Sequence, residues 1–213
     1  MPQLINYLSC DALASEPINL EEVKTQARID LDLTDDDLFI QTVLIPSARQ
    51  QAETRTGSAI RPARYRQLLT GFPHQSETLW LALGNVQTVE SLTYVPHGHL
   101  SDQPTGIGRS TFDLSRTDLI NLDRQNALVL QHGRWPHAQS GARAVELVMT
   151  AGLEPDAIAQ TFPSVKMWML MAAAWGYAQR EMFLLQTRGS GYQELPSDFM
   201  QVLLDPMKLP PRW

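Results

Sequence analysis

Five aspartates lie between residues 30 and 37, where they form the densest set of potential metal ligands in the sequence. Calcium takes oxygen ligands of this kind, but an EF-hand loop that began at Asp30 would need glycine at its sixth position and glutamate at its twelfth. Those positions hold Asp35 and Gln41. The acidic run is therefore interpreted as a solvated loop whose carboxylates face the positive end of the helix that follows.

Two histidines and one aspartate are the residues on which a ligand-binding or catalytic site could be built. His97 and His99 alternate, so in a strand they would point to the same face, as metal ligands sometimes do. No nearby carboxylate or cysteine completes a metal site, and a polar hairpin tip is favoured. Because the G-x-S-x-G elbow and a lysine after Gly106-Ile107-Gly108 are both missing, the sequence predicts no enzyme, metal or cofactor. A small-ligand-binding or enzymatic protein with a pocket lined by His97, His99 and Asp113 is the competing hypothesis.

The charge of the chain restricts its partners. The 213 residues carry a formal net charge of −6, whereas a sequence-reading nucleic-acid binder normally shows a basic face. Passive contact with passing double-stranded DNA stays compatible, because an acidic surface lets DNA slide without being held. Cys10 is the only cysteine, so assembly in the reducing host cytoplasm is expected. The first residues lack a signal-peptide pattern and no apolar run reaches the roughly 20 residues that span a bilayer, so no membrane partner is expected.

The first predicted helix has a clear start. Asn19 and Glu22 have the spacing of a capping box, in which each side chain accepts a hydrogen bond from the other's backbone. The apolar period of this helix turns Val23 towards the core and Lys24 towards solvent.

Later helices are predicted from similar signals. Thr34 or Asp35 would cap a second helix, which Pro46 would kink and Gly57 would end. Pro163 fits the first turn of a long apolar helix that has no internal proline. The last two helices are predicted over residues 165–185 and 197–204.

The period changes after Pro62, where short runs rich in Val, Leu, Thr and Tyr are typical of strands. The predicted fold class is α+β, a mainly helical core of about four helices with an inserted antiparallel β subdomain. The predicted strands cover residues 65–70, 78–83, 86–95, 111–114, 118–122, 127–131 and 144–150. The predicted division is residues 1–60 for the N-terminal helices, 61–152 for the β subdomain, 153–195 for the long helix and linker, and 196–213 for a short helix and docking tail.

Two groups of apolar residues are candidate interaction sites. Methionine and tryptophan recur along the long helix, where they would form either core or a subunit interface; the candidates are Met167, Trp168, Met171 and Trp175. A second group follows the last predicted helix, where prolines exclude regular structure. Its tryptophan favours docking on a partner or a neighbouring subunit, and folding back on its own domain is the alternative. This tail consists of Leu209, Pro210, Pro211, Arg212 and Trp213.

The order of several sequence segments resembles the head–tail connector adaptors of long-tailed phages, in the version that carries a β insertion. The resemblance runs roughly from residue 17 to residue 208. It begins with PINLEEVK at 17–24 and RID at 28–30, and it includes WGYAQRE at 175–181. The other matching segments are residues 35–38, 48–57, 71–73, 89–95, 135–136, 150–152, 194–196 and 203–204.

The resemblance implies a ring, commonly a dodecamer, in the neck of a virion. Such a ring lies beneath the portal protein and above the stopper or tail completion protein, where it extends the DNA channel. An isolated copy can be a monomer that assembles only on its partner. The host particle would be a phage, a prophage or a gene-transfer particle, and another phage neck or tail completion role is the alternative. The helical core is expected to form the ring contacts, and the tail is expected to dock on the portal.

Overall fold

The computed structural model describes residues 4–5, 10–73, 77–98, 108–122, 124–179 and 197–210. Helices and two antiparallel sheets confirm the predicted α+β class. The helices are α1 (Leu20–Ala27), α2 (Asp37–Phe39), α3 (Ile45–Thr56), α4 (Pro155–Thr161), α5 (Pro163–Ala178) and α6 (Ser197–Val202), with a π-helical segment at Ile40–Leu44 and 3-10 turns at Leu114–Arg116 and Asp205–Met207. The strands are β1 (Leu4–Ile5), β2 (Cys10–Ala12), β3 (Ala63–Leu69), β4 (Thr78–Trp80), β5 (Val86–Tyr94), β6 (Ser110–Thr111), β7 (Thr117–Leu122), β8 (Gln125–Leu130) and β9 (Val145–Ala151).

The chain forms two compact units. The helical unit comprises residues 14–61 and 153–208, and the β unit comprises residues 1–13, 62–152 and 209–213. The short strands β1 and β2 pair with β3, so they belong to the β unit, although the sequence analysis grouped them with the N-terminal helices. No helix in the described part of the chain is both long enough and apolar enough to cross a membrane.

Strand β9 is the centre of the larger sheet of the β unit. It pairs with β3 on one side and with β5 on the other, and the full order is β1-β3-β9-β5-β6. A second sheet has the order β4-β8-β7. The seven predicted strands are confirmed, with ends that differ by at most three residues. Alternate residues of β9 are buried, as a strand with one face on a core requires: Val145, Leu147, Met149 and Ala151.

An aromatic cluster fills one part of the β unit. The rings of Phe72 and Trp135 are stacked with centroids 5.2 Å apart, and Phe112 and Tyr94 pack on Phe72 at 6.3 and 5.5 Å. The indole N–H of Trp135 donates to the carbonyl oxygen of Glu77 at 3.2 Å. The polar N–H group of the buried indole therefore has a hydrogen-bond partner.

The helical unit is built around α5, which packs against α1 and α3. Four side chains of α5 are buried at this contact: Val165, Trp168, Met169 and Ala173. Their neighbours in the core are Ile18, Val23, Ile40, Leu44, Ile45, Ala48, Ala52, Ile60, Ile158, Leu204 and Met207.

The predicted start of the first helix and the predicted stop at Gly57 are confirmed. Asn19 Oδ1 accepts a hydrogen bond from the Glu22 N–H at 2.9 Å, and Glu22 Oε2 accepts one from the Asn19 N–H at 3.0 Å. Gly57 ends α3 with a φ of 73°, in the left-handed region that glycine adopts without strain.

The helical stretch from α2 to α3 contains a π-helical segment that ends at Leu44, two residues before Pro46. Pro46 has no N–H, and in a regular α-helix its ring would crowd the carbonyl group of Thr42. The π turn is wider than an α-helical turn, so it changes the distance between the Pro46 ring and the Thr42 carbonyl group. A kink was predicted at this position. The predicted cap, Thr34 or Asp35, is wrong, because the helix begins at Asp37.

A network of ion pairs joins the middle of α3 to residues that precede α1 and follow α3. Glu16 binds Arg49 at 2.8 Å and Arg61 at 2.6 Å, and Arg49 also pairs with Glu53 at 2.5 Å. The second carboxylate oxygen of Glu53 accepts the N–H of Ile60 at 3.0 Å. Burial alone would lower the pKa of the Arg49 guanidinium, but the charges and hydrogen bonds of Glu53 and Glu16 raise it above its ordinary value.

Replacing Leu147 by alanine should lower the free energy of unfolding of the β unit by about 2–5 kcal/mol, because the side chain is buried in the central strand and leaves a cavity. Val148→Ala, on the opposite face of the same strand, is the matched control and should cost only about 1 kcal/mol. Urea denaturation followed by circular dichroism measures both. Equal losses for the two variants would contradict the assigned faces of β9.

Candidate functional site

One side of α5 is an apolar surface without a partner in the described structure. Lys166 is the only charged residue of this helix, so burial of the core side chains leaves further apolar groups outside. Met167 is 48% exposed and Trp175 is 53% exposed. At 3.6 residues per turn, the exposed side spans about 120° of the helix. We call it the α5 stripe; its apolar residues are Pro163, Met167, Met171, Ala174, Trp175 and Ala178, and Ser164 lies in the same arc.

The structure separates the four residues that the sequence analysis grouped as core or interface. Trp168 is buried in the core, and the Arg55 guanidinium lies 5.5 Å from the centre of its ring. Met171 is half-buried, whereas Met167 and Trp175 are exposed. The helix predicted over residues 165–185 is described to Ala178, and residues 180–196 lie outside the described part of the chain.

Trp168 and Trp175 point in nearly the same direction, since seven residues are about two turns. Their different burial follows from the path of α3. A Cβ on Gly176 would lie 3.2 Å from Leu44 Cδ2, so the start of α3 passes on the Gly176 side of α5. Through Arg55, the end of α3 reaches the side of Trp168. Along its length α3 therefore crosses from the Gly176 side of α5 to the Trp168 side, and it does not cover Trp175.

A second exposed apolar surface lies on the acidic segment 30–38, which we call the leucine loop. Leu31, Leu33 and Leu38 alternate with aspartates and are 54%, 59% and 72% exposed. Arg28 starts the loop in the left-handed conformation, with a φ of 57°. Asp30 Oδ1 accepts the N–H of Asp32 at 3.3 Å, which helps to close the turn.

The leucine loop is held by a buried lysine. Lys24 is 2% exposed, and its ammonium group donates to the carbonyl oxygens of Leu31 at 3.1 Å and Leu33 at 2.6 Å. It also lies 2.6 Å from a carboxylate oxygen of Asp37. The prediction that Lys24 faces solvent is wrong, because the loop folds back over the helix and supplies these oxygens. Sequence reasoning missed this anchor.

The far end of the loop is anchored to α5. The hydroxyl group of Tyr177 donates to Asp36 Oδ2 at 2.7 Å. On α5, Tyr177 and Gly176 both point at least about 100° away from the centre of the α5 stripe. Within one chain, the leucine loop is therefore attached beside the α5 stripe and does not cover it.

Only part of the predicted docking tail is described. Leu209 and Pro210 are half-buried in the β unit, and the Pro210 carbonyl oxygen accepts a hydrogen bond from Gln125 Nε2 at 3.2 Å. Pro211, Arg212 and Trp213 lie outside the described residues.

The residues of the competing ligand-site hypothesis have structural contacts. The backbone N–H of His97 donates to the carbonyl oxygen of His137 at 3.0 Å, and His99 lies outside the described residues. Asp113 caps the 3-10 turn, and hydrogen bonds from the side chain and backbone of Ser115 lower the pKa of its carboxyl group. Among the described residues, no group of three or more His, Cys, Asp or Glu could hold a metal ion.

The surface depressions found on the helical unit do not include these residues. One open groove of about 490 Å³ is lined by a mixture of polar and apolar groups, among them Glu16, Ile18, Gln41 and Lys166. Its single lysine pairs with Glu22 at 2.5 Å, so the groove has no unpaired cationic group. Its geometry does not indicate a small-molecule site.

Formal charge is distributed unevenly between the two units. The segments of the helical unit contain fifteen acidic and nine basic residues, a net charge of −6. The segments of the β unit contain eight of each and are neutral with histidine uncharged. The acidic character of the chain therefore belongs to the unit that carries both apolar surfaces.

Solved structures with a similar fold come from gene transfer agent particles. A chain of the virion of a native particle is 18% identical, with a TM-score of 0.69 and 97% of each chain covered. Two chains, from the neck of an empty particle computed with C6 symmetry and from the neck of a native particle computed with C12 symmetry, are each 16% identical. Their TM-scores are 0.68 and 0.61, over 96% of this chain and 97% of theirs. No protein-family model matches the sequence, and no curated protein matches it.

Lys24→Met should destabilise the helical unit by about 3 kcal/mol, the lower end of the cost of breaking a buried ion pair, because Asp37 keeps some contact with water. The leucine loop should also lose protection in amide hydrogen exchange. Lys208→Met, which changes an exposed lysine of the same unit, is the control and should stay within about 0.5 kcal/mol. An unchanged exchange pattern at residues 30–38 would show that the loop does not depend on Lys24.

Proposed function

We propose that this chain is a structural subunit of a phage-type virion neck and that it has no catalytic role. The observation that carries this proposal is the shared fold over 97% of both chains with a virion chain of a gene transfer agent particle. The likeness to two chains from necks of such particles supports the same location. The contacts of His97 and Asp113 agree with a structural role, because both residues take part in local backbone geometry.

Within the neck, we assign the chain to an adaptor ring beneath the portal protein and above the stopper or tail completion protein. A ring of twelve copies is supported by the C12 symmetry with which one of the similar necks was computed. A closed ring needs two different surfaces that meet between neighbours, since a head-to-tail contact repeats around the axis. Assembly would take place in the host cytoplasm, and the isolated chain can be a monomer.

The charge distribution supports passive contact with DNA. A ring that extends the DNA channel must let the phosphate backbone pass without gripping it. Basic residues bind phosphates with release of counterions, whereas the helical unit carries a net charge of −6. The neutral β unit supplies no excess of basic groups either.

Two surfaces of the chain are assigned to partners in this proposal. The α5 stripe, with Met167 and Trp175, forms one side of the contact between neighbouring copies. The tail at residues 209–213 docks on the portal, where Trp213 would bury its indole.

Deletion of residues 209–213 should abolish binding to portal rings and leave the fold intact, with a small loss of thermal stability because the contacts of Leu209 and Pro210 are removed. Trp213→Ala should weaken binding by about 10- to 100-fold, because burial of a large apolar side chain is worth roughly 1.5–3 kcal/mol. Co-sedimentation with purified portal rings, with electron microscopy of the pellet, measures both.

The matched control is Trp80→Ala, which removes a tryptophan that is partly exposed elsewhere in the β unit. It should bind portal rings as the unchanged chain does. Full binding by the truncated chain would refute the role of the tail. If the unchanged chain forms no ring with portal present, the adaptor assignment is refuted in favour of another neck or tail completion component.

A further inference from the structure

We propose that the leucine loop of one copy docks on the α5 stripe of the next copy. This inference rests on the proposed ring and names the two surfaces that close it. Both surfaces belong to the helical unit, and both are apolar and exposed. Leu33 and Leu38 project from the loop, while Met167 and Trp175 offer flat, adaptable apolar area on the helix.

The leucine loop is prepared for docking by its anchor. Lys24 fixes the carbonyl groups of Leu31 and Leu33 towards the interior, so the side chains of the same residues are held outside. A loop held in this way loses little conformational entropy when it binds. Exposed leucines on a free, mobile loop would have no such advantage.

The loop and stripe of the same chain do not meet. Tyr177 and Leu44 hold the loop and the helical segment after it on a side of α5 that is turned away from the stripe. Met167 and Trp175 stay exposed as a result. The leucine loop of a second copy can therefore cover the α5 stripe, which the chain's own leucine loop does not reach.

Charge selects between possible occupants of the stripe. The leucine loop contains five aspartates, and Lys24 compensates the charge of Asp37. Residues 163–179 contain no carboxylate, and the exposed Arg55 lies over Trp168 beside the stripe. The loop thus meets no like charge on this surface and gains an arginine at its edge. By contrast, two loops facing each other would bring their aspartates together and repel.

The contact joins two different surfaces of one chain, so it is heterologous. Repetition of a heterologous contact gives a closed ring when the rotation between copies closes, and an open filament when it does not. A two-fold dimer could use it only if both loop–stripe contacts formed at once between the same two copies. The proposal therefore predicts pairs of unlike surfaces and excludes pairs of like surfaces.

Cysteine cross-linking of the full chain tests this pairing. In a Cys10→Ser background, Leu33→Cys is made in one preparation and Trp175→Cys in a second preparation that carries a size tag. A short bismaleimide is added to each preparation and to their mixture, both with free protein at high concentration and with portal rings present. Tagged–untagged dimers should form in the mixture, at a yield about tenfold above that of a Val202→Cys mixture. Val202 is the control because it is exposed in the same unit but lies outside both surfaces.

A charge exchange provides the second measurement, in the same two cysteine preparations. Asp32→Lys in the Leu33→Cys chain and Arg55→Glu in the Trp175→Cys chain should each lower the yield, and the two together should restore it. Dimers above the control yield within either cysteine preparation alone would overturn the proposal, as would a mixture that never exceeds the control. Rings on portal without the tagged–untagged dimers would overturn this pairing and leave the adaptor function standing. Tagged–untagged dimers without portal binding would support the pairing and count against the adaptor function.

Discussion

The helical unit depends on covering a helix that has almost no polar side. A helix that is apolar all around needs neighbours on every side, and only Lys166 gives α5 a charge. Within the chain, the neighbouring elements, among them α1, α3 and α4, bury Val165, Trp168, Met169 and Ala173. The remaining apolar groups form the α5 stripe, and burying each of its large side chains on a partner would contribute roughly 1.5–3 kcal/mol. The same constraint thus builds the core and leaves a surface for assembly.

Burial of the Lys24 ammonium organises the other surface. An ammonium group removed from water needs oxygen partners, and the acidic segment that follows α1 supplies them. Two of these partners are peptide carbonyl groups of leucines, and the third is Asp37. The fold therefore uses the backbone of Leu31 and Leu33 inside and their side chains outside. The buried ammonium group of Lys24 and the exposed leucine side chains therefore both follow from the way the leucine loop folds over α1.

Much of the fold could be predicted from local signals. The capping box at Asn19, the stop at Gly57 and the strands with a period of two all depend on neighbouring residues. The strands β1 and β2 were missed because two or three residues carry no measurable period. Lys24 was placed on the wrong side because helical periodicity assigns a charged residue to solvent, and its partners follow the helix in the chain.

The sequence by itself determined the α+β class, the presence of helices before and after the strands along the chain, and the apolar character of α5. It also determined which residues could serve as core or interface, since composition and spacing are local properties. Only the tertiary structure decided between these roles. Trp168 and Trp175 have the same residue type and nearly the same direction on the helix, yet one is buried and the other exposed. The crossing of α3 over α5 makes the difference, because α3 covers Trp168 and does not cover Trp175.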